Sequence, residues 1–331
     1  MKKPLLWLVV LTMVLALSGV IGLAGCKADA AETTAAAAEE TAENVIKSVG
    51  VSHYLSAYEF FVKVQNGIDE VADKNGITTS VQDANVDAAK QLQQIEAFIN
   101  SGVDGIICST LDGASLNPTV KEAVENGIGF ISLYVPCDDA TVNYLVDEYA
   151  YGVAIGTLAG QWAQKNFPGE KIQAALLRMQ DYVPGIERGR GEREAFLKEF
   201  PTGEIVSDQH SNSVETAMKA TEAILQAYPD VKIFITDSDD TGAIGAYEVL
   251  KAKVKPEDYY KYGVFGADGV NQAIKYVKEN GMYRATVDVY PEQVGRDAIT
   301  LLIDWAAGKT VEKTMYCPFA PVDYETAMSD Y

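Results

Sequence analysis

From Val45 onward the chain switches repeatedly between a strand-like and a helix-like spacing of apolar residues. Val45 to Val51 is rich in β-branched residues, which predicts a strand. Phe60 to Lys74 carries apolar residues at Phe60, Phe61, Val64, Ile68, Val71 and Ala72, the period of a helix, and Asn75-Gly76 ends it. Ile77 to Asp83 follows as a strand. Ala88 to Ser101 is a helix with Leu92, Ile95, Phe98 and Ile99 on one face, closed by Gly102. Gly105 to Ser109, Leu116 to Glu125 and Ile128 to Leu133 read as strand, helix and strand, with Asn126-Gly127 as the turn. A βαβαβαβ series implies a parallel sheet with helices on both faces.

A second series begins after Tyr151. Helices are predicted over Val153 to Asn166, Ile186 to Phe200, Ser213 to Tyr228, Gly242 to Ala252 and Gly269 to Asn280. Between and after them lie strands over Lys171 to Arg178, Glu204 to Ser207, Val231 to Thr236, Tyr262 to Gly266 and Ala285 to Val289. Pro291 then opens a last long helix, Glu292 to Ala307, where a missing N–H costs nothing. The fold class is therefore α/β, with two doubly wound lobes of ordinary domain size.

The head of the chain differs. Lys2 and Lys3 precede an apolar run from Leu5 to Leu23, and Leu23-Ala24-Gly25-Cys26 follows. A plain signal peptide ends at a small-residue cleavage site. Here the small residues lead directly to a cysteine, which resembles the bacterial lipoprotein signal. That resemblance implies cleavage after residue 25 and a diacylglycerol on the Cys26 thiol. A transmembrane anchor is the alternative, because the run is nearly long enough to span. Lys27 to Asn44 holds no large apolar residue and cannot bury a core, so residues 26–44 read as the lipidated cysteine and a tether, flexible or Ala-rich and helical.

Charge narrows the functions. The net charge is −20, from 27 basic and 47 acidic residues. That excludes nucleic acid as a partner, since its binders need basic faces. Beyond Cys26 there are three cysteines. Cys108 lies in the apolar run Val103 to Cys108 and reads as a small buried hydrophobe. Cys137 and Cys317 both follow strand-like segments, which leaves a bridge between them open beside three free thiols.

Six segments together resemble the ribose-type, type I periplasmic binding proteins. They are Phe60-Phe61 with Gly67 and Ala72 to Gly76; Gln94-Ile95-Glu96 through Gly105-Ile106-Ile107; and Arg190 six residues before Phe196. Then come Asp239-Asp240 before Ala243 to Ala246; Val264 to Gly269; and Ala285-Thr286-Val287 before Pro291 to Gly295. The resemblance covers nearly all of Val45 to Tyr331. It implies two lobes joined by three crossing segments, placed near Val146-Asp147, Val289-Tyr290 and Val322-Asp323. The N-terminal lobe would hold residues 45–146 and 290–322, and the C-terminal lobe 147–289 and 323–331. It also implies a monomer that closes by hinge motion on a small ligand and delivers it to an ABC permease, touching the membrane through its lipid alone. A sensory partner, a receptor kinase or chemoreceptor, is the alternative.

Ligand residues are expected in the loops after each strand, where parallel sheets of this kind bind. By strand position and by the resemblance these are Tyr54, Tyr58, Phe60, Phe61, Tyr134, Glu148, Arg190, Asp239, Asp268 and Asp288. Aromatic rings suit the C–H face of a sugar, and carboxylates accept from paired hydroxyls or from an ammonium. The competing readings are helix-start packing for the phenylalanines, helix capping for the aspartates and a surface position for Arg190. The chain departs from the ribose pattern where Tyr134-Val135 replaces Asp-Arg, where Cys108 or Ser109 replaces Asn, and where Asn212 replaces an aromatic residue. A sugar-like polyol fits this inventory, and so does a cationic solute.

Other motifs fail. Asp237 to Glu248 resembles a calcium loop, but Thr241 holds a ligand position and a strand leads in where a helix belongs. Gly308-Lys309-Thr310 lacks the earlier glycine of a phosphate loop. There are two histidines, His53 and His210, and no nucleophile elbow. No catalytic role, metal or cofactor is expected.

Overall fold

The computed structural model describes residues 46–331; the leader, Cys26 and the tether lie outside them. Two six-stranded sheets organise the chain. The first contains β1 (Ser48–His53), β2 (Thr78–Asp83), β3 (Gly105–Ser109), β4 (Gly129–Leu133), β5 (Val142–Leu145) and β11 (Thr314–Tyr316), ordered β11-β5-β4-β3-β1-β2 and wholly parallel. The second contains β6 (Ile172–Arg178), β7 (Gly203–His210), β8 (Val231–Thr236), β9 (Gly263–Phe265), β10 (Tyr283–Asp288) and β12 (Ala320–Asp323), ordered β12-β10-β9-β8-β6-β7. Only β12 runs antiparallel there. β3 and β4 are buried at every residue, as strands covered on both faces must be.

The helices of the first lobe are α1 (Glu59–Asn75), α2 (Ala88–Ser101), α3 (Gly113–Glu125) and, after the second crossing, α9 (Pro291–Ala306). The second lobe has α4 (Glu148–Asn166), α5 (Val183–Glu199), α6 (Val214–Ala227), α7 (Ile244–Lys253), α8 (Asn271–Lys278) and α10 (Tyr324–Asp330). Their ends follow local chemistry. Asp87, Asp112 and Asp147 each accept a backbone N–H at the start of α2, α3 and α4. Gly76 takes the left-handed conformation that ends α1. Asp147 starts α4 at Glu148, five residues earlier than the apolar pattern suggests. The helix expected from Gly242 is instead preceded by a π-helical turn, Asp239–Ala243. β5, β11, β12 and α10 are too short to show in the pattern.

The first two crossings fall at Val146-Asp147 and Val289-Tyr290. The third falls between Tyr316 and Ala320, because β12 already pairs with β10 in the second sheet. This corrects the boundary expected at residues 322 and 323. The three cysteines of the described residues are buried and unpaired, so no bridge joins Cys137 to Cys317. The Cys137 sulfur accepts from Ser132. Among the described residues no helix is long and apolar enough to cross a membrane.

Candidate functional site

A cavity of about 70 Å³ lies where the carboxyl ends of both sheets meet. The loop after β1 supplies Tyr54 and Tyr58, and the start of α1 supplies Phe60 and Phe61. Tyr134 follows β4 in the left-handed conformation, with φ 68°, rare for a bulky residue. These rings make one wall. Tyr182 meets Tyr54 at 5.8 Å between centroids, Tyr54 stacks on Phe61 at 5.9 Å, and Phe61 meets Phe60 at 5.1 Å. Phe60 in turn meets Tyr134 at 5.6 Å.

The opposite wall is polar and comes from the second lobe. Arg188, on α5, is buried beneath it. Its Nε and Nη2 both donate to Glu148 Oε2, at 2.8 and 2.7 Å, and its Nη1 donates to the Asp237 carbonyl. Asp268 Oδ1 stands 3.9 Å from Nη1, and the guanidinium lies 4.7 Å above the Tyr151 ring. Burial opposes charge on Arg188, but Glu148 and Asp268 outweigh it and raise its pKa. Burial wins at the carboxylates: it raises the pKa of Glu148 and of Asp268 despite the guanidinium. Asp268 is fixed by Ser238, which donates to it at 2.6 Å. Tyr151 donates to the Val287 carbonyl at 2.7 Å and accepts from the Asp268 N–H at 2.8 Å.

The π-helical turn brings Asp240 and Thr241 into the cavity. Single π turns inside helices are frequent at functional sites. Asp240 Oδ2 accepts the Phe60 N–H at 3.3 Å, across the lobes. Burial, then Asp268, pushes its pKa up to about 6. Further bonds hold the lobes together around the cavity. Tyr58 donates to the Asn212 carbonyl, the Asn271 N–H donates to Glu59 at 2.7 Å, and Lys63 donates to the Gly269 carbonyl at 3.1 Å.

Three of the residues expected from the sequence lie elsewhere. Arg190 is exposed, pairing with Glu187 and Glu194 and covering the Tyr149 ring at 4.0 Å. Arg188 occupies the cavity instead. Asp239 is fully buried beneath the site and accepts from Tyr283 at 2.6 Å and from Thr286 at 2.9 Å, tying the π turn to β10. Asp240 and Thr241 take its expected place. Asp288 faces a separate groove of about 670 Å³ behind the crossings, where Tyr331 and the Tyr290 N–H donate to it. Sequence reasoning also missed Tyr151, Tyr182 and Ser238. The rule that cleft loops follow strands could have found Tyr182 and Ser238, which lie four and two residues beyond β6 and β8.

Behind Arg188 two further acids are buried. Glu192 has no hydrogen-bond partner on either carboxyl oxygen, and Asp237 Oδ1 has none. Burial, then the neighbouring Asp237, raises the pKa of Glu192, and burial raises that of Asp237 to about 7 against the pull of Arg188. A folded-state pKa above the unfolded one means that folding binds protons. Stability is then full at low pH and falls as pH rises from about 4, the unfolded carboxylate value, through about 7. The protein is expected to melt at a lower temperature at about pH 8 than at about pH 5. Glu192→Gln should narrow that gap; an unchanged gap in differential scanning calorimetry would assign it to other groups.

The arrangement is a cleft between two lobes, with aromatic rings on one side and carboxylates and hydroxyls on the other. The periplasmic binding protein domain matches residues 49–310, and the chain belongs to that family. The chain is 26% identical over 277 residues to the ribose import binding protein RbsB of Bacillus subtilis (strain 168), covering 82% of this chain and 85% of that protein. It is 27% identical over 253 residues to the xylitol-binding protein of Mycolicibacterium smegmatis, covering 74% and 68%. Among solved structures, an ABC transporter periplasmic solute binding protein from Actinobacillus succinogenes 130z, with bound D-allose, superposes with a TM-score of 0.77 at 25% identity, covering 85% of this chain and 99% of that one. The protein is a type I, ribose-binding-like solute-binding protein, of a family that works outside the cytoplasm, and not an enzyme.

Proposed function

We propose that the protein captures a small polyol or sugar-like ligand in the interlobe cavity and hands it, as a closed monomer, to an ABC permease. The observation that carries this reading is the cavity itself: an aromatic wall from one lobe faces carboxylates and hydroxyls from the other. C–H faces of a ring ligand pack on the aromatic rings, and its hydroxyls bond the polar wall. Ligands named for the relatives, the sugars ribose and D-allose and the polyol xylitol, are all polyhydroxylated and support it. The interlobe bonds of Tyr58, Glu59 and Lys63 are those a hinge must break to release cargo. The lipoprotein-like leader supports attachment through an acylated Cys26, which keeps the binder near its permease.

A thermal-shift screen of sugars and polyols tests capture. A ligand at about 100 times its Kd adds about 2.7 kcal/mol to stability. No shift across the panel with folded protein would end the reading. Phe60→Ala should weaken a ligand found this way about tenfold, equal to about 1.4 kcal/mol, the scale of one aromatic contact. Calorimetric titration measures it. Cys26→Ala should release the protein from membranes and abolish fatty-acid labelling.

A further inference from the structure

The cavity's charge does not balance, and the imbalance points to the ligand. Three carboxylates reach it, Glu148, Asp240 and Asp268, against one guanidinium, Arg188. Arg188 is committed, with two nitrogens on Glu148 and the third on the Asp237 carbonyl, facing Asp268. Asp240 is left over. No lysine or arginine pairs with it among the described residues, and its one protein bond is the Phe60 N–H on Oδ2 at 3.3 Å. The N-terminus of α1 behind that N–H supplies a partial positive charge of about half a unit, to one oxygen only. Oδ1 keeps its lone pairs for something else.

A second observation is independent of charge. Thr241, the neighbour of Asp240, is 1% exposed and lines the cavity, yet its hydroxyl has no hydrogen-bond partner in the protein. The buried Tyr134 hydroxyl, on the facing aromatic wall, has none either. Buried polar groups of this kind are nearly always bonded, so both hydroxyls call for a partner that the protein does not supply, on residues that line the cavity. The site therefore offers hydroxyl partners, ring faces and one uncompensated carboxylate together.

We propose that the ligand is a polyol or sugar that carries an amino group, with its ammonium on Asp240 beside the rings of Tyr58 and Phe60 and its hydroxyls on Thr241 and Tyr134. This rests on the reading of the cavity as a polyol site and narrows it. A neutral polyol can bond Asp240 through a hydroxyl but leaves its charge unbalanced inside a closed cleft, whereas an ammonium forms a charge-assisted bond and meets aromatic faces that favour cations.

Calorimetric titration of the full chain in detergent with matched compounds tests it: D-glucosamine, D-glucose and N-acetyl-D-glucosamine; the galactose set; and glucamine with sorbitol. At least one amine should bind tenfold or more tighter than its uncharged partners. Asp240→Asn should cancel that preference, and Thr241→Val should weaken amine and neutral partner alike. A neutral compound that binds as tightly as its amine, or a preference that survives Asp240→Asn, overturns the amine and leaves polyol capture standing. If no compound binds, mass spectrometry of small molecules released by denaturation decides. A ligand with a basic nitrogen supports the proposal, a polyol without one overturns it alone, and no ligand from folded protein counts against both readings.

Discussion

Arg188→Met is expected to abolish ligand capture and to lower stability by about 3–5 kcal/mol, the usual cost of removing one partner from a buried ion pair. Arg190→Ala, two residues on, is expected to change neither. The contrast follows from what each side chain touches. Arg188 is buried and holds Glu148 by two nitrogens, with Asp268 and Tyr151 packed around it. Without it, Glu148 and Asp268 lose the one cation that faces them among the described residues, and Glu148 loses both of the bonds that orient it in the polar wall. Arg188→Lys should fail as well, because one ammonium cannot reproduce the guanidinium fork. Glu148→Gln in the Arg188→Met background should restore part of the stability and none of the binding. Arg190 sits in solvent between Glu187 and Glu194. Urea unfolding and calorimetric titration of the variants decide the matter. Lost binding in Arg190→Ala with retained binding in Arg188→Met would show that the site is misassigned.

Why the sequence pointed to the wrong arginine is a matter of helix phase. Two residues on a helix are about 200° apart, so Arg188 and Arg190 face opposite ways. An apolar stripe normally reveals which face is inward. In α5 the buried residues are Pro184, Gly185, Arg188, Gly189, Gly191 and Glu192, followed by Ala195 and Phe196, so five of the eight are glycine or charged. Glycines on both helices allow close contact: a Cβ on Gly191 of α5 would lie 2.3 Å from the Tyr149 carbonyl, and one on Gly152 of α4 1.9 Å from that of Arg188. Close backbone approach thus replaces the hydrophobic signal. Asp239 and Asp240 were separated by a different cause. The π turn inserts a residue that no local propensity announces, and it decides which aspartate faces the cavity. By contrast, the paired sheets, the helix ends at Gly76 and Gly102 and the aromatic loop after β1 were legible. Each rests on short-range chemistry, either the period of apolar residues or the left-handed conformation that glycine tolerates. The third crossing was not, because strand β12 is four residues long and earns its place only by pairing with β10.

Gly67→Leu and Gly295→Leu are each expected to destabilise the protein by about 1–3 kcal/mol or more, the range for forcing extra atoms into a packed contact. These two glycines are where α1 and α9 meet. A Cβ on Gly67 would stand 1.9 Å from the Glu292 carbonyl oxygen, and one on Gly295 2.0 Å from that of Val64. The obstacle is backbone on both sides, so no side chain can swing away, and the helices must separate. The damage reaches the site through chain connection. α9 starts immediately after the second crossing, and Val289 of that crossing lines the cavity, while Phe60 and Phe61 open α1. Separating α1 from α9 therefore moves the aromatic wall relative to a crossing on which the lobes hinge. Ligand affinity should fall together with the melting temperature, although neither glycine touches the cavity. Gly281→Ala is the matched control: its nearest contact would be the Tyr247 hydroxyl at 3.5 Å, an ordinary separation, and it should leave both quantities unchanged. A Gly67→Leu protein that melts and binds like the parent would mean that the two helices can part without cost, and that the second crossing is positioned by something other than α9.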